Sequence, residues 1–73
     1  MNLGTLLKQK RQEKDLTLIQ LGEKIGVANG TISKWERGQI KNMRIDKVKP
    51  LTDILGIDPL LIINETYKTE KDD

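Results

Sequence analysis

TLIQLGEKIGVANGTISKWERG, residues 17–38, is the stretch that decides how the rest of the chain is read. It holds two short apolar-periodic segments joined through Gly26 and Val27. In the first, Leu18, Leu21, Gly22 and Ile25 share one face at helical spacing. Thr17 precedes it as an N-cap, and Gln20 three residues on completes a capping-box pattern. In the second, Ile32, Trp35 and Glu36 recur at i, i+3 and i+4, which leaves Asn29, Gly30, Thr31, Ser33 and Lys34 facing outward. Helices are therefore predicted over about 18–25 and 29–36. Gly26 suits a left-handed residue at the end of the first, Val27 plugs the turn, and Gly38 stops the second. Isolated helices shorter than about 12–15 residues are marginal in water. Each segment must therefore lean on the other, and the small Gly22 lets them approach closely.

Toward the N-terminus, NLGTLLKQKRQEK places Leu3, Leu7 and Lys10/Arg11 on one stripe behind Asn2, a residue type that caps helices. A helix over about 2–14 is predicted, with Asp15 and Leu16 as the connection. Toward the C-terminus, the loop QIKNMR carries Lys41, Asn42 and Arg44 and has no periodicity. Ile45, Val48, Leu51, Thr52 and Leu55 then mark the inner face of a fourth helix, and Gly56 ends it. Pro50 is awkward there, because proline beyond the first turn costs about 3 kcal/mol. The regular helix is expected to begin no earlier than Asp46, with 43–46 as a looser turn. Asp58-Pro59 is an N-cap followed by proline at the first helical position, so LLIIN opens a short fifth helix. ETYKTEKDD reads as a frayed polar tail. The expected fold class is all-α, five short helices, with one domain over 1–63 and a tail or linker over 64–73.

Composition narrows the function. The chain has 73 residues, one Trp, one Tyr, no Phe and no Cys, so Leu, Ile and Trp35 must build the core and neither a disulfide nor a thiolate zinc site is available. With no His, no Cys and scattered carboxylates, an enzyme is not expected, nor is a cofactor, a metal or a small-molecule ligand. LLII is the longest apolar run, far short of a membrane span, and the N-terminus carries no signal region. The expected location is cytoplasmic. Residues 1–63 hold eleven Lys/Arg against seven Asp/Glu, a net of +4, while residues 64–73 hold two against four, a net of −2. The folded part is thus more basic than the total suggests, which suits a polyanionic partner.

A short helix with a polar outer face, gripped from behind and held at a steep angle by a second helix, is what reading a duplex requires. The major groove carries a unique donor and acceptor code, and an inserted helix reaches it. VANGTISKWERG resembles the corresponding run of the lambda-repressor-like (Xre-type) helix-turn-helix family. IKNMRIDKVKPLTDILGIDPLLI is similar to the segment C-terminal to that run in repressors of temperate phages from Gram-positive bacteria. The resemblance spans about 2–63 and places the helix-turn-helix at about 17–37. It implies a five-helix domain that binds double-stranded operator DNA, usually as a homodimer, to regulate transcription. Many such phage repressors carry a further domain for oligomerisation and self-cleavage, which these 73 residues do not include; the charged tail is a natural end or the start of a linker.

Asn29, Gly30, Thr31, Ser33 and Lys34 are the candidate base-contacting positions, with Asn29 suited to adenine and Lys34 to guanine or phosphate. Thr17 and Gln20, at the N-terminus of the first helix of the pair, and Lys41, Asn42, Arg44 and Lys47 after the second are the candidate phosphate contacts. The resemblance implies that Arg11 and Glu36 pair between the first and third helices. Leu60, Leu61, Ile62 and Ile63 cannot all face one core, so two should stay exposed as an interface patch, and the family dimerises near there. Leu6 and Ile19 are apolar where relatives tend to be polar. Departures from the family include Gly22 for a usual Ala, Leu18 for a frequent Gln, and Ala28 for a common capping Ser. Other readings are an antitoxin or controller-type regulator on the same fold, and a protein-interaction module acting through the Leu60–Ile63 patch.

Overall fold

The computed structural model describes residues 3–41 and 43–67. Five helices succeed one another: α1 (Leu3–Glu13), α2 (Leu18–Ile25), α3 (Asn29–Glu36), α4 (Ile45–Leu55) and α5 (Pro59–Tyr67), with no strand among the described residues. The expected all-α class and the two central helices appear as read. Asn2, Asn42 and residues 68–73 lie outside the described residues.

One core holds the helices together. Leu7 comes from α1, Leu21 and Ile25 from α2, Ile32 and Trp35 from α3, and Val48, Leu51 and Leu55 from α4. Ile62 of α5 closes it at 0% exposure. Ile40 and Met43, in the stretch between α3 and α4, are also core residues at 3% and 2% exposure. That stretch is not a bare connection, although its lack of periodicity gives no local sign of burial. Burying a side chain of this size contributes about 1.5–3 kcal/mol, so the two residues anchor a segment that has no helix of its own. Among the described residues no buried side-chain nitrogen or oxygen lacks a hydrogen-bond partner.

Two helix limits differ from expectation. α4 begins at Ile45 and runs through Pro50. Proline removes the donor that would reach the carbonyl of Asp46 and crowds that carbonyl with its ring, but Asp46 lies on the exposed side of the helix. Meanwhile Val48, Leu51, Thr52 and Leu55 are each buried at 2% exposure or less, and that packing outweighs the lost bond. Ile45, expected inward, is 62% exposed. It opens the helix at the edge of the core rather than within its face. α5 continues past Ile63 to Tyr67, so its last turn covers residues expected to fray. Thr66 Oγ1 donates to the carbonyl of Ile40 at 3.2 Å, fastening that turn to the buried loop.

Close approach positions α1 on α3. A Cβ built on Gly4 would collide with the backbone oxygen of Glu36 and lie 2.8 Å from the amide nitrogen of Gly38. α1 therefore rests its first turn directly on the backbone that ends α3. At Gly22 the clearance serves the turn more than the facing helix, since an added Cβ would sit 2.5 Å from the carbonyl oxygen of Val27 and 3.5 Å from the Asn29 nitrogen.

Candidate nucleic-acid interface

α2 starts and stops on side chains legible in its sequence. Thr17 Oγ1 accepts from the Gln20 amide at 3.0 Å, and Gln20 Oε1 accepts from the Thr17 amide at 2.9 Å, which completes the capping box. At the other end Gly26 adopts φ 81°, and the Gly26 and Val27 amides both donate to the Gly22 carbonyl, at 2.7 and 2.9 Å. The chain thus reverses within three residues and begins α3 at Asn29.

α3 has a buried back and an open front. Ile32 and Trp35 are 1% and 4% exposed. Asn29, Gly30 and Lys34 are exposed, whereas Thr31 and Ser33 are half-buried. The five expected reading positions are therefore on the surface, with Thr31 and Ser33 reaching it from the flanks. Gly30 has open space where a side chain would stand. Gly30, Lys34 and Arg37 fall at i, i+4 and i+7, on one stripe opposite Ile32 and Trp35. Arg37 is exposed and belongs to this front, although it is not among the residues expected there from sequence; its position three residues after Lys34 is the signal that marks it. Thr31, Lys34, Trp35 and Gln39 line a shared concavity, so Gln39 extends the surface beyond the helix. On the other flank Ile19, Glu23, Val27, Ala28 and Asn29 line a second one, with Ile19 57% exposed. Ala28 precedes α3 in extended backbone and supplies no side-chain cap.

The expected phosphate-contacting residues separate. Thr17, Gln20, Lys41 and Arg44 are exposed, and Asn42 lies outside the described residues. The Arg44 side chain forms an exposed ion pair to Asp46 at 3.4 Å. Lys47 differs: it is half-buried, and its Nζ donates to the carbonyl oxygen of Ile25 at 3.1 Å.

Arg11 and Glu36 form the ion pair expected from the resemblance. Arg11 Nε donates to Glu36 Oε2 at 2.6 Å and Nη2 to Oε1 at 3.1 Å, while Nη1 donates to the Leu16 carbonyl at 2.8 Å. With side-chain exposures of 10% and 8%, the pair is a bidentate tie between α1 and the end of α3. Arg11 is fully engaged inside and presents little to a ligand.

The LLII run divides. Leu60 and Leu61 are 57% and 45% exposed, Ile63 is half-buried, and Ile62 is wholly in the core. Ile62 is therefore removed from the surface patch, because α5, packed against α4 and α1, turns that side chain into the core. Leu6 is half-buried. No helix among the described residues is long and apolar enough to cross a membrane.

A capped helix, a glycine-closed turn and a second helix with its polar side outward together make a helix-turn-helix domain. The chain belongs to the helix-turn-helix family HTH_3, whose model matches residues 7–62. It is similar to the HTH-type transcriptional regulator SinR of Bacillus subtilis (strain 168), 33% identical over 70 residues that cover 96% of this chain and 63% of the relative. The SinR regulator of Bacillus licheniformis is 34% identical over the same share of each chain. The chain thus spans 63% of the length of the curated relatives it matches. No solved structure matches it at a comparable level.

Proposed function

We propose that this chain is a sequence-specific DNA-binding regulator of transcription, a repressor that lays α3 in the major groove of a pseudo-palindromic operator and binds as a homodimer. One observation carries the reading: the open front of α3, Gly30, Lys34 and Arg37 flanked by Asn29, Thr31 and Ser33, is backed by a buried Ile32 and Trp35. A helix gripped in this way offers polar groups to base edges without giving up core. The family and the two regulators to which the chain is similar support the same reading.

In this proposal Asn29, Thr31, Ser33 and Lys34 read bases, and Gly30 lets the backbone approach the groove. Thr17, Gln20, Lys41, Asn42 and Arg44 hold phosphates on either side. Thr17 and Gln20 cap α2 with their side chains and remain exposed, so capping and phosphate contact are compatible. Leu60 and Leu61 meet their counterparts in the second copy, and the site of action is the cytoplasm, where the operator lies. The phage attribution rests on the run from Ile40 to Ile62 alone.

Selecting binding sites from a random duplex pool tests the proposal. A palindromic consensus with half-sites about one helical turn, 34 Å, apart is expected, together with an affinity that falls steeply with salt. Absence of salt-sensitive binding to any duplex would instead favour a protein-interaction module.

A further inference from the structure

Lys47 is a candidate phosphate contact by sequence, but its ammonium is engaged inside the molecule. We infer that Lys47 is a positioning residue: it caps the C-terminus of α2 from another helix and so fixes the turn from which the reading helix α3 starts. The inference rests on the DNA-binding reading only for its functional consequence; the latch itself is a property of the free domain.

The last four carbonyls of any helix lack partners within it. In α2 the Gly22 carbonyl is satisfied by the Gly26 and Val27 amides. The Ile25 carbonyl, at the point where the chain leaves the helix, takes the Lys47 ammonium at 3.1 Å instead, from a residue 22 positions further along the chain. Charge placement agrees. Lys47 lies in the first turn of α4, where the positive end of its own helix disfavours a cation. The C-terminus of α2 is the negative end of a neighbouring helix, and there the same charge is stabilising. A Cβ built on Gly26 would stand 3.2 Å from Lys47 Nζ, so the ammonium lies against the turning residue itself. Nothing local substitutes for it. Only Gly26, Val27 and Ala28 separate α2 from α3, and Ala28 gives α3 no side-chain cap. Lys41 and Arg44, by contrast, are exposed and open to a polyanion.

Amide hydrogen exchange and DNA binding test the assignment together. In Lys47→Met, which keeps the stem and deletes the donor, exchange at Gly26 and Val27 is expected to accelerate about tenfold while Leu51 and Leu55 hold their protection. The preference for a selected operator over random duplex is expected to drop about tenfold with the salt slope unchanged, whereas Lys41→Ala lowers that slope by about 0.9 per subunit bound. Lys47→Arg keeps a donor and should restore both protection and preference. A slope reduced by about 0.9 per subunit bound in Lys47→Met, with turn amides unmoved, would make Lys47 a phosphate contact and overturn the inference. If Met loosens the whole domain, Lys47→Arg decides, and faster exchange confined to its turn amides counts against the latch. Failure of the wild-type chain to bind any duplex removes the DNA reading, and the exchange arm still judges the latch.

Discussion

At the scale of single residues, two kinds of side chain need different tests. Asn29 and Lys41 are both exposed and polar, yet they are assigned opposite work. Alanine at Asn29 should flatten discrimination at one base pair by about 1–3 kcal/mol, because only base edges carry sequence. Alanine at Lys41 should weaken all duplexes alike and reduce the log–log salt slope by about 0.9 per subunit bound. Equal losses on random and selected DNA for both variants would end this division of labour. Glu36 is a different case, since its carboxylate holds a guanidinium that is nearly inaccessible to water. Glu36→Ala strands that charge, and urea unfolding should register a loss of about 3–5 kcal/mol. An intact midpoint would mean that water reaches Arg11. Outward and inward residues on α3 are legible from spacing, because helical period alone separates Lys34 from Trp35. The partner of Lys47 is not, because a contact across 22 residues leaves no mark on local pattern.

Helices are the next scale, and here the ends carry the lesson. The limits of α2 and α3 can be read because Thr17, Gln20, Gly26 and Gly38 signal them within a few residues. Gly56 and Asp58-Pro59 likewise mark the end of α4 and the start of α5, but the start of α4 and the end of α5 cannot be read in this way. Pro50 argues locally for a late start, and Glu65, Thr66 and Tyr67 argue locally for a frayed tail, but burial of Val48 and the bond from Thr66 to Ile40 decide otherwise. The end of α1 shows one local rule broken. The Leu16 amide donates to the Arg11 carbonyl at 3.1 Å and the Asp15 amide to the Gln12 carbonyl at 3.0 Å, the bonds of a Schellman motif. Its left-handed position is held by Asp15 at φ 58°, the one non-glycine residue with positive φ among those described. Left-handed backbone costs an L-residue about 1–2 kcal/mol, somewhat less for Asp, so Asp15→Gly should stabilise the domain by about 1 kcal/mol. For a domain of this size that raises Tm by about 4–8 °C. A lower Tm would mean that the Asp side chain stabilises the turn by more than its backbone strain costs. Gly4→Ala should act in the reverse direction. Its Cβ has only backbone of Glu36 and Gly38 to displace, so a loss of about 1–3 kcal/mol is expected despite the better helix former.

For the whole molecule the open matter is how a domain this small becomes selective. A single α3 spans a few base pairs, and two copies at fixed spacing multiply that selectivity. The surface proposed for pairing is Leu60 and Leu61, exposed at the start of α5, beside an Ile62 that is wholly buried. This contrast makes the test clean. Leu60→Lys with Leu61→Lys alters the surface only, so at concentrations where both proteins are monomers the unfolding free energy should move by less than about 0.5 kcal/mol per site. Ile62→Ala removes core and should cost about 2–5 kcal/mol. If the leucines join two copies, the double variant will sediment as a monomer at concentrations where the wild type is a dimer. It will also bind a single half-site as well as before, while losing the steep cooperative isotherm on the full operator. Arg37, Lys34 and Lys41 are untouched, so its salt slope per half-site should hold. A double variant that keeps both the dimer and the cooperative isotherm would move the pairing surface elsewhere on the molecule, and the half-exposed Ile63 would then have no claim on it either.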